Sequence, residues 1–425
     1  MIVKMKSTSD PYYSNSVFNR FVPLALLYTA VTNLAATVLH PFPGLRISRE
    51  PLLPEDSFEP SGGDIAIVTG SNTGIGFETA YSLVERGYDV ILACRSRERG
   101  ERAAEILNEK AAARGASATA GRAIFLHPLD LSDFSSVRSF VDTFKAKYSK
   151  LNILVNNAGI NTTGKSVDGF DLCFQTNFLG HFLLTRLLMD HLLKAKNRYS
   201  GEGAGKEAGR VVNLSSVTHH FVRADEDRFQ SKGSGLHDEE WWNGCAKHGE
   251  SDNTYKESKL ASALLTLELN ERYSKEGLRA VTANPGSVNS DIWRNYSDFM
   301  LKYVVGPLFR VVYLDNEQGS RTSVAAAVGK LPLGAHYLQP YWQPWPIQHT
   351  TSKKSLKQKL SALSFHRSYR VQFPVFEMLG LYIGHAVTKA RLPNDGKGGL
   401  FASSELWKSS EKLVGYGDTC QDGQK

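Results

Sequence analysis

A chain of 425 residues is too long for one minimal domain and short for three. Its 41% apolar and 22% charged residues are an ordinary globular composition, which excludes global disorder. The net charge is +7, yet residues 340–376 alone hold four Lys and two Arg with no Asp or Glu, so the remainder is nearly neutral. A nucleic-acid binder spreads basic side chains over a face; one basic segment fits a membrane surface or an acidic partner, and no nucleic-acid role is expected. Four cysteines (Cys94, Cys173, Cys245, Cys420) show no C-x-x-C pair, which excludes a disulfide scaffold, gives no support to a structural zinc site and suits a cytosol-facing chain with reduced thiols.

From the N-terminus, Phe21–Leu45 contains no Asp, Glu, Lys or Arg, and 14 of the 19 residues from Phe21 to Leu39 are apolar. About 20 mostly apolar residues span a bilayer as a helix. Two readings stand: a membrane-associating segment, and an amphipathic helix packed on the domain. A cleaved signal peptide fits poorly, because the apolar part starts late and Pro41–Gly44 is a poor cleavage site. Residues 46–63, rich in Pro, Glu, Ser and Gly, read as a linker.

Asp64–Val68 then reads as a buried strand, followed by Val90–Ala93, Ala123–Leu126, Ile153–Val155, Val211–Leu214 and Ala280–Ala283. Amphipathic helices such as Arg97–Arg114 and Val137–Tyr148 lie between them. Strands alternating with helices predict an α/β fold, a doubly wound parallel sheet with helices on both faces. The expected units are 1–45 (tail and apolar segment), 46–63 (linker), 64–335 (catalytic domain) and 336–425 (C-terminal extension).

Three stretches carry chemistry. Thr69-Gly70-Ser71-Asn72-Thr73-Gly74-Ile75-Gly76 follows the first strand and opens a helix at Phe77–Arg86. Gly70 suits a tight turn, while Gly74 and Gly76 let backbone approach a pyrophosphate at the helix N-terminus. An NAD site places a carboxylate about 20 residues on, for the ribose 2′-OH; here Cys94-Arg95 stands there, and a guanidinium suits a 2′-phosphate, so NADP(H) is expected. Tyr255 and Lys259, four residues apart, share one face of a helix. There the Lys cation is expected to lower the Tyr pKa and make it an acid–base at neutral pH. The strand Val211–Leu214 leads into Ser215 and Ser216, whose hydroxyls suit a substrate oxygen.

With Asp130-Leu131 after the third strand, Asn156–Gly159 after the fourth, Asn177 and Pro285-Gly286, these motifs resemble the short-chain dehydrogenase/reductase family over roughly residues 62–330. The wording Ala93–Arg95, Gln175–Phe182 and Asn213–His219 is most similar to its retinol dehydrogenase and WW-domain oxidoreductase branch. The resemblance implies an NADP(H)-linked Rossmann-type oxidoreductase interconverting a lipophilic carbonyl compound and its alcohol. It assigns Tyr255 as acid/base, Lys259 as its tuner and ribose ligand, Ser216 to the substrate oxygen with Ser215 in support, and Asn177 to a proton-relay water. It assigns Asp130 to adenine, Leu131, Asn157, Ala158 and Gly159 to the cofactor lining, and Pro285, Gly286, Val288 and Ser290 to the nicotinamide wall; no metal is expected.

The branch is often membrane-associated, which implies the cytosolic face of the endoplasmic reticulum or a lipid droplet, with a cytoplasmic location the alternative; homodimers are common in the family. The competing functional readings are a non-catalytic NADP(H)-binding scaffold or sensor and a soluble biosynthetic reductase. Two departures from the family pattern stand out. Thirty-eight residues separate Ser216 from Tyr255, including Trp241-Trp242, which read as local packing more than as a substrate platform. An insertion around 340–392 joins Tyr341–Pro346, the basic Lys353–Arg370 and the apolar Phe373–Val387, and reads either as a membrane-surface element or as a subdomain over the substrate pocket. Of the N-x-S/T sequons at Asn161, Asn213 and Asn295, Asn213 lies on the central strand, so all three read as accidental.

Overall fold

The computed structural model describes residues 63–113, 121–197, 207–216, 218–219, 222, 238–247, 253–286, 288, 314–329, 331, 337–340, 385–388 and 400–416. Phe21–Leu45, nearly all of the linker, Ser290, Asn295 and most of the 340–392 insertion lie outside them.

The first strand, β1 (Ile65–Thr69), is buried along its whole length. Its β-branched, uncharged sequence has no solvent-facing side, as expected of a parallel strand covered on both faces. Ile65 and Ile67 enter one core, Ala66 and Val68 the other, the two-residue alternation of a strand. After it come α1 (Gly74–Glu85), β2 (Asp89–Ala93), α2 (Arg97–Ala113), β3 (Ala123–Phe125), α3 (Phe134–Lys147) and β4 (Ile153–Asn156). The α3 N-terminus is fixed by Asp133, whose carboxylate accepts from the Ser135 and Ser136 amides.

Next, a short α4 (Leu172–Phe174) runs into a π turn at Gln175–Leu179 and on into α5 (Gly180–Leu187). Then follow α6 (Met189–Lys194), β5 (Arg210–Leu214), α7 (Glu239–Lys247), α8 (Asn253–Tyr273), β6 (Arg279–Ala283), α9 (Asn316–Val328), β7 (Tyr337–Pro340), β8 (His385–Thr388) and α10 (Leu400–Leu413). The sheet order is β3-β2-β1-β4-β5-β6-β7-β8. Strands pair in parallel as far as β7, and β8 is antiparallel to β7. The chain winds outward from β1 to β3 and resumes on the other side at β4, so the order reverses between β1 and β4. Crevices outside the carboxyl ends at such a reversal are where open α/β sheets bind ligands. All six expected strands are present; β7 and β8 were not expected, being too short to stand out from their polar surroundings.

The C-terminal helix α10 lies across α7 and α8 as part of the domain. Trp407 is 2% exposed and meets Phe182 edge-on at 5.1 Å. The guanidinium carbons of Arg186 and Arg272 lie 4.8 and 4.4 Å from its ring. Ser403 donates to Glu268 at 2.7 Å and Arg186 pairs with Glu411 at 3.0 Å. Trp241 and Trp242 are buried in the same core, their rings 4.6 Å apart. Trp407→Ala, which removes a large ring from a packed site, is expected to lower unfolding free energy by about 3–5 kcal/mol, read from urea denaturation of the full chain.

Candidate active site

The cradle starts where β1 ends. Gly70 turns at φ +65° and donates its amide to the Ala93 carbonyl at 2.8 Å. A Cβ there would stand 3.0 Å from the Ala158 Cα, so the two loops approach as closely as backbone permits. A Cβ on Gly76 would overlap the Asn157 side-chain amide and the Gly70 carbonyl. The Thr73 N-cap of α1 makes no side-chain capping bond, so the first-turn amides, carrying the positive end of the helix dipole, remain for an anion. Ser71 is fully buried, and its hydroxyl has no partner among the described residues. A tight turn with glycine at its closest approaches, an open helix N-terminus and an orphaned hydroxyl fit a dinucleotide pyrophosphate.

Beside the cradle, Arg95 is 71% exposed, with a guanidinium nitrogen 4.0 Å from the Asp130 carboxylate. Asp130 also accepts from the Ser132 amide and hydroxyl at 3.0 and 2.6 Å. A carboxylate therefore does stand near Arg95, delivered from β3 rather than from the end of β2. Leu131 is buried against Gly180. On the other side Gly286, at φ +81°, accepts no side chain without strain; its amide donates to Asn284 Oδ1 at 3.1 Å. Val288 packs with Leu314 and Ile75, which sets it against the start of α1.

The candidate catalytic side chains converge at the ends of β4 and β5 and on α8. The Ser216 hydroxyl lies close enough to the Tyr255 phenol to favour its ionised form. Lys259 is buried, its ammonium donating to the Leu214 carbonyl at 3.2 Å and lying 5.6 Å from the centre of the Tyr255 ring. A Cβ on Gly159 would sit 3.2 Å from that ammonium and 3.5 Å from Asn177 Oδ1, so glycine lets the β4 loop close on both. Ser215 donates to the Lys259 carbonyl at 2.8 Å and ties β5 to α8. The Asn177 side chain holds the β4 loop by accepting from Ile160 N at 2.8 Å and donating to Ile160 O at 3.0 Å. It also donates to the Ser258 hydroxyl at 3.0 Å, and Ser258 donates to the Tyr255 carbonyl at 2.7 Å. Asn177 sits in the π turn, and such turns occur frequently at functional sites.

Burial sets the protonation states. It holds Tyr255 well above the ordinary phenol value, against the lowering effect of the Ser216 hydroxyl, and brings Lys259 down to about 8. This corrects the expected direction for Tyr255. The Lys259 ammonium donates to the Leu214 carbonyl, and desolvation of the phenolate is the largest influence on Tyr255. Cys173, whose thiol donates to the Ile160 carbonyl at 3.2 Å, is pushed up to about 12 by burial and stays a neutral thiol.

The structure thus brings together Asn177, Ser216, Tyr255 and Lys259, with Gly70–Gly76, Asn157–Gly159, Pro285, Gly286 and Val288 around them. Ser258, Cys173 and His181 support the site and were not singled out in the sequence. They carry no chemical signature of their own, although His181 falls inside the Gln175–Phe182 motif. Burial lowers His181 to about 4 from the ordinary 6.5. The unfolded chain therefore binds its proton first on acidification, and stability drains away between about pH 6.5 and 4. Urea midpoints at pH 7, 6 and 5 are expected to fall, and to fall less steeply in His181→Asn.

Residues 64–225 match the family model described as short chain dehydrogenase. Mouse retinol dehydrogenase 11 is 35% identical over 268 residues, which cover 63% of this chain and 73% of that protein. Mouse retinol dehydrogenase 12 is 35% identical over 298 residues, 69% and 83% of the two chains. Human polyprenol dehydrogenase is 33% identical over 320 residues, 72% and 85%.

Proposed function

Because the chain belongs to the short-chain dehydrogenase/reductase family, in its retinol dehydrogenase-like branch, we propose that it interconverts a lipophilic carbonyl compound and its alcohol with NADP(H), using Tyr255 as the acid/base. The observation that carries the reading is the convergence of Tyr255, Lys259, Ser216 and Asn177 beside a cradle with the shape and polarity of a dinucleotide site. Bound there, the nicotinamide supplies or accepts the hydride at the carbonyl carbon.

The chain's own residues handle the oxygen. Ser216 and Tyr255 hold the carbonyl oxygen between two hydroxyls, and Tyr255 Oη gives its proton as negative charge grows there. The raised Tyr255 pKa keeps that proton in place through the neutral range, which suits the reducing direction. Lys259, still a cation at neutral pH, favours the negative charge left on the tyrosine and would bind the nicotinamide ribose. Asn177 would hold the relay water that returns a proton. Gly70–Gly76 would hold the pyrophosphate, Asp130, Leu131 and Asn157–Gly159 the adenosine side and lining, and Pro285, Gly286, Val288 and Ser290 the nicotinamide wall. Arg95 supports the choice of NADP(H): it is exposed, and its 4.0 Å pair with Asp130 is weak enough to yield to a phosphate.

Two relatives are named for retinol and one for polyprenol, both long apolar alcohols, which supports a lipophilic substrate. The charge-free Phe21–Leu45 supports a membrane-associated protein on the endoplasmic reticulum or a lipid droplet, its substrate taken from the lipid phase. No helix among the described residues is long and apolar enough to cross a membrane.

The test is NADPH oxidation by the full chain with retinal, long-chain isoprenoid aldehydes, medium-chain aldehydes and steroid ketones. Turnover on a lipophilic member, lost by about a thousandfold in Tyr255→Phe while NADPH still binds, is expected. For reduction, kcat/KM is expected to be level near neutrality and to fall above about pH 8 as Lys259 loses its charge. Binding without turnover on any carbonyl would instead identify a non-catalytic NADP(H)-binding protein.

A further inference from the structure

His181 is 3% exposed at the start of α5, and both ring nitrogens have partners. Nε2 lies 2.9 Å from the Thr69 hydroxyl, and Nδ1 lies 2.9 Å from the Asn177 carbonyl oxygen. The tautomer follows from counting donors. Thr69 Oγ1 already accepts from the Asn157 and Ala158 amides, each at 2.9 Å, which fills the two lone pairs of a hydroxyl. Its own proton is left to give, and Nε2 at 2.9 Å is nearer than the Val155 carbonyl at 3.3 Å, so Nε2 is the acceptor and carries no proton. The proton is on Nδ1, facing the Asn177 carbonyl; the other tautomer would set two lone pairs against each other there. The next links are the Asn177 side-chain bonds to Ile160 and Ser258, and the Ser258 bond to the Tyr255 carbonyl.

We propose that His181 is a positioning residue: as the Nδ1–H tautomer it joins the Thr69 hydroxyl at the end of β1 to the Asn177 carbonyl in the π turn, and so holds Asn177 in register with Tyr255 and Lys259. The proposal rests on the reading of those three as the reacting group. It gives the buried imidazole no contact with substrate or cofactor. It also makes the position of Asn177 depend on the strand that forms the floor of the cradle.

The test has one arm that needs no turnover. Nitrogen-15 NMR of the imidazoles, the His181 signal assigned by its loss in His181→Asn, is expected to show a protonated Nδ1 and a bare Nε2 that persist on acidification below the range where exposed histidines titrate. A protonated Nε2 overturns the proposal. In the kinetic arm, His181→Asn places an amide donor where Nδ1 stood and keeps the bond to Asn177. It is expected to retain kcat within about tenfold, whereas His181→Phe loses about a hundredfold, the cost of a small misplacement at a reacting centre, with KM for NADPH changed less than threefold. An unchanged kcat in His181→Phe with a lowered melting temperature makes the residue mere packing and also overturns it. A wild-type chain with no turnover at all fails the proposed function instead, and the NMR arm still decides the tautomer.

Discussion

The hydroxyl of Thr69 is the knot on which the site depends. It sits where the sheet reverses between β1 and β4, fully buried, and takes the amides of Asn157 and Ala158 at 2.9 Å each. The Asn157 side chain returns a bond to the Thr69 carbonyl at 2.7 Å. These contacts lock the loop after β1 to the loop after β4, and glycine at positions 70 and 76 lets them lie that close. The cradle, the floor under the reacting groups and the π turn are then placed relative to one another by buried hydrogen bonds. In a low-dielectric interior such bonds are expensive to leave unmade.

Burial has a second consequence in the same region. It removes water from Lys259, His181 and Cys173 and desolvates the partly exposed Tyr255, and each responds in favour of its neutral form. For His181 and Cys173 the result is a fixed, uncharged hydrogen-bonding group. For Tyr255 it is a retained proton, and for Lys259 a cation that survives only to about pH 8. The proposed acid, Tyr255, keeps its proton near neutral pH, because the groups around it supply geometry more than charge.

Much of this was legible in the sequence. Short, largely apolar runs of three to five residues marked the six central strands. The spacing of Gly70, Gly74 and Gly76, and of Tyr255 and Lys259, survives folding intact because each set lies within one turn or one helix. What the sequence hid depends on distant segments meeting. Asp130 reaches Arg95 from β3, 35 residues on. Trp407 closes the core from a helix near the C-terminus. The direction of the Tyr255 shift was misread because the pairing with Lys259 was visible in the sequence and the desolvation of the phenol was not. His181 was one more polar residue in a helix until its two partners were known.

The central claim is that the cradle between β1 and β4 holds NADP(H), with Arg95 taking the 2′-phosphate. Calorimetric titration of the full chain and of Arg95→Ala with NADPH and NADH tests it most directly. The account predicts that the unaltered chain binds NADPH more tightly than NADH. It predicts that Arg95→Ala weakens NADPH by about 10- to 100-fold, the worth of one charge-assisted contact, and leaves NADH nearly unchanged. Equal affinity for the two cofactors, or an Arg95→Ala protein that binds NADPH as well as the original, would contradict it.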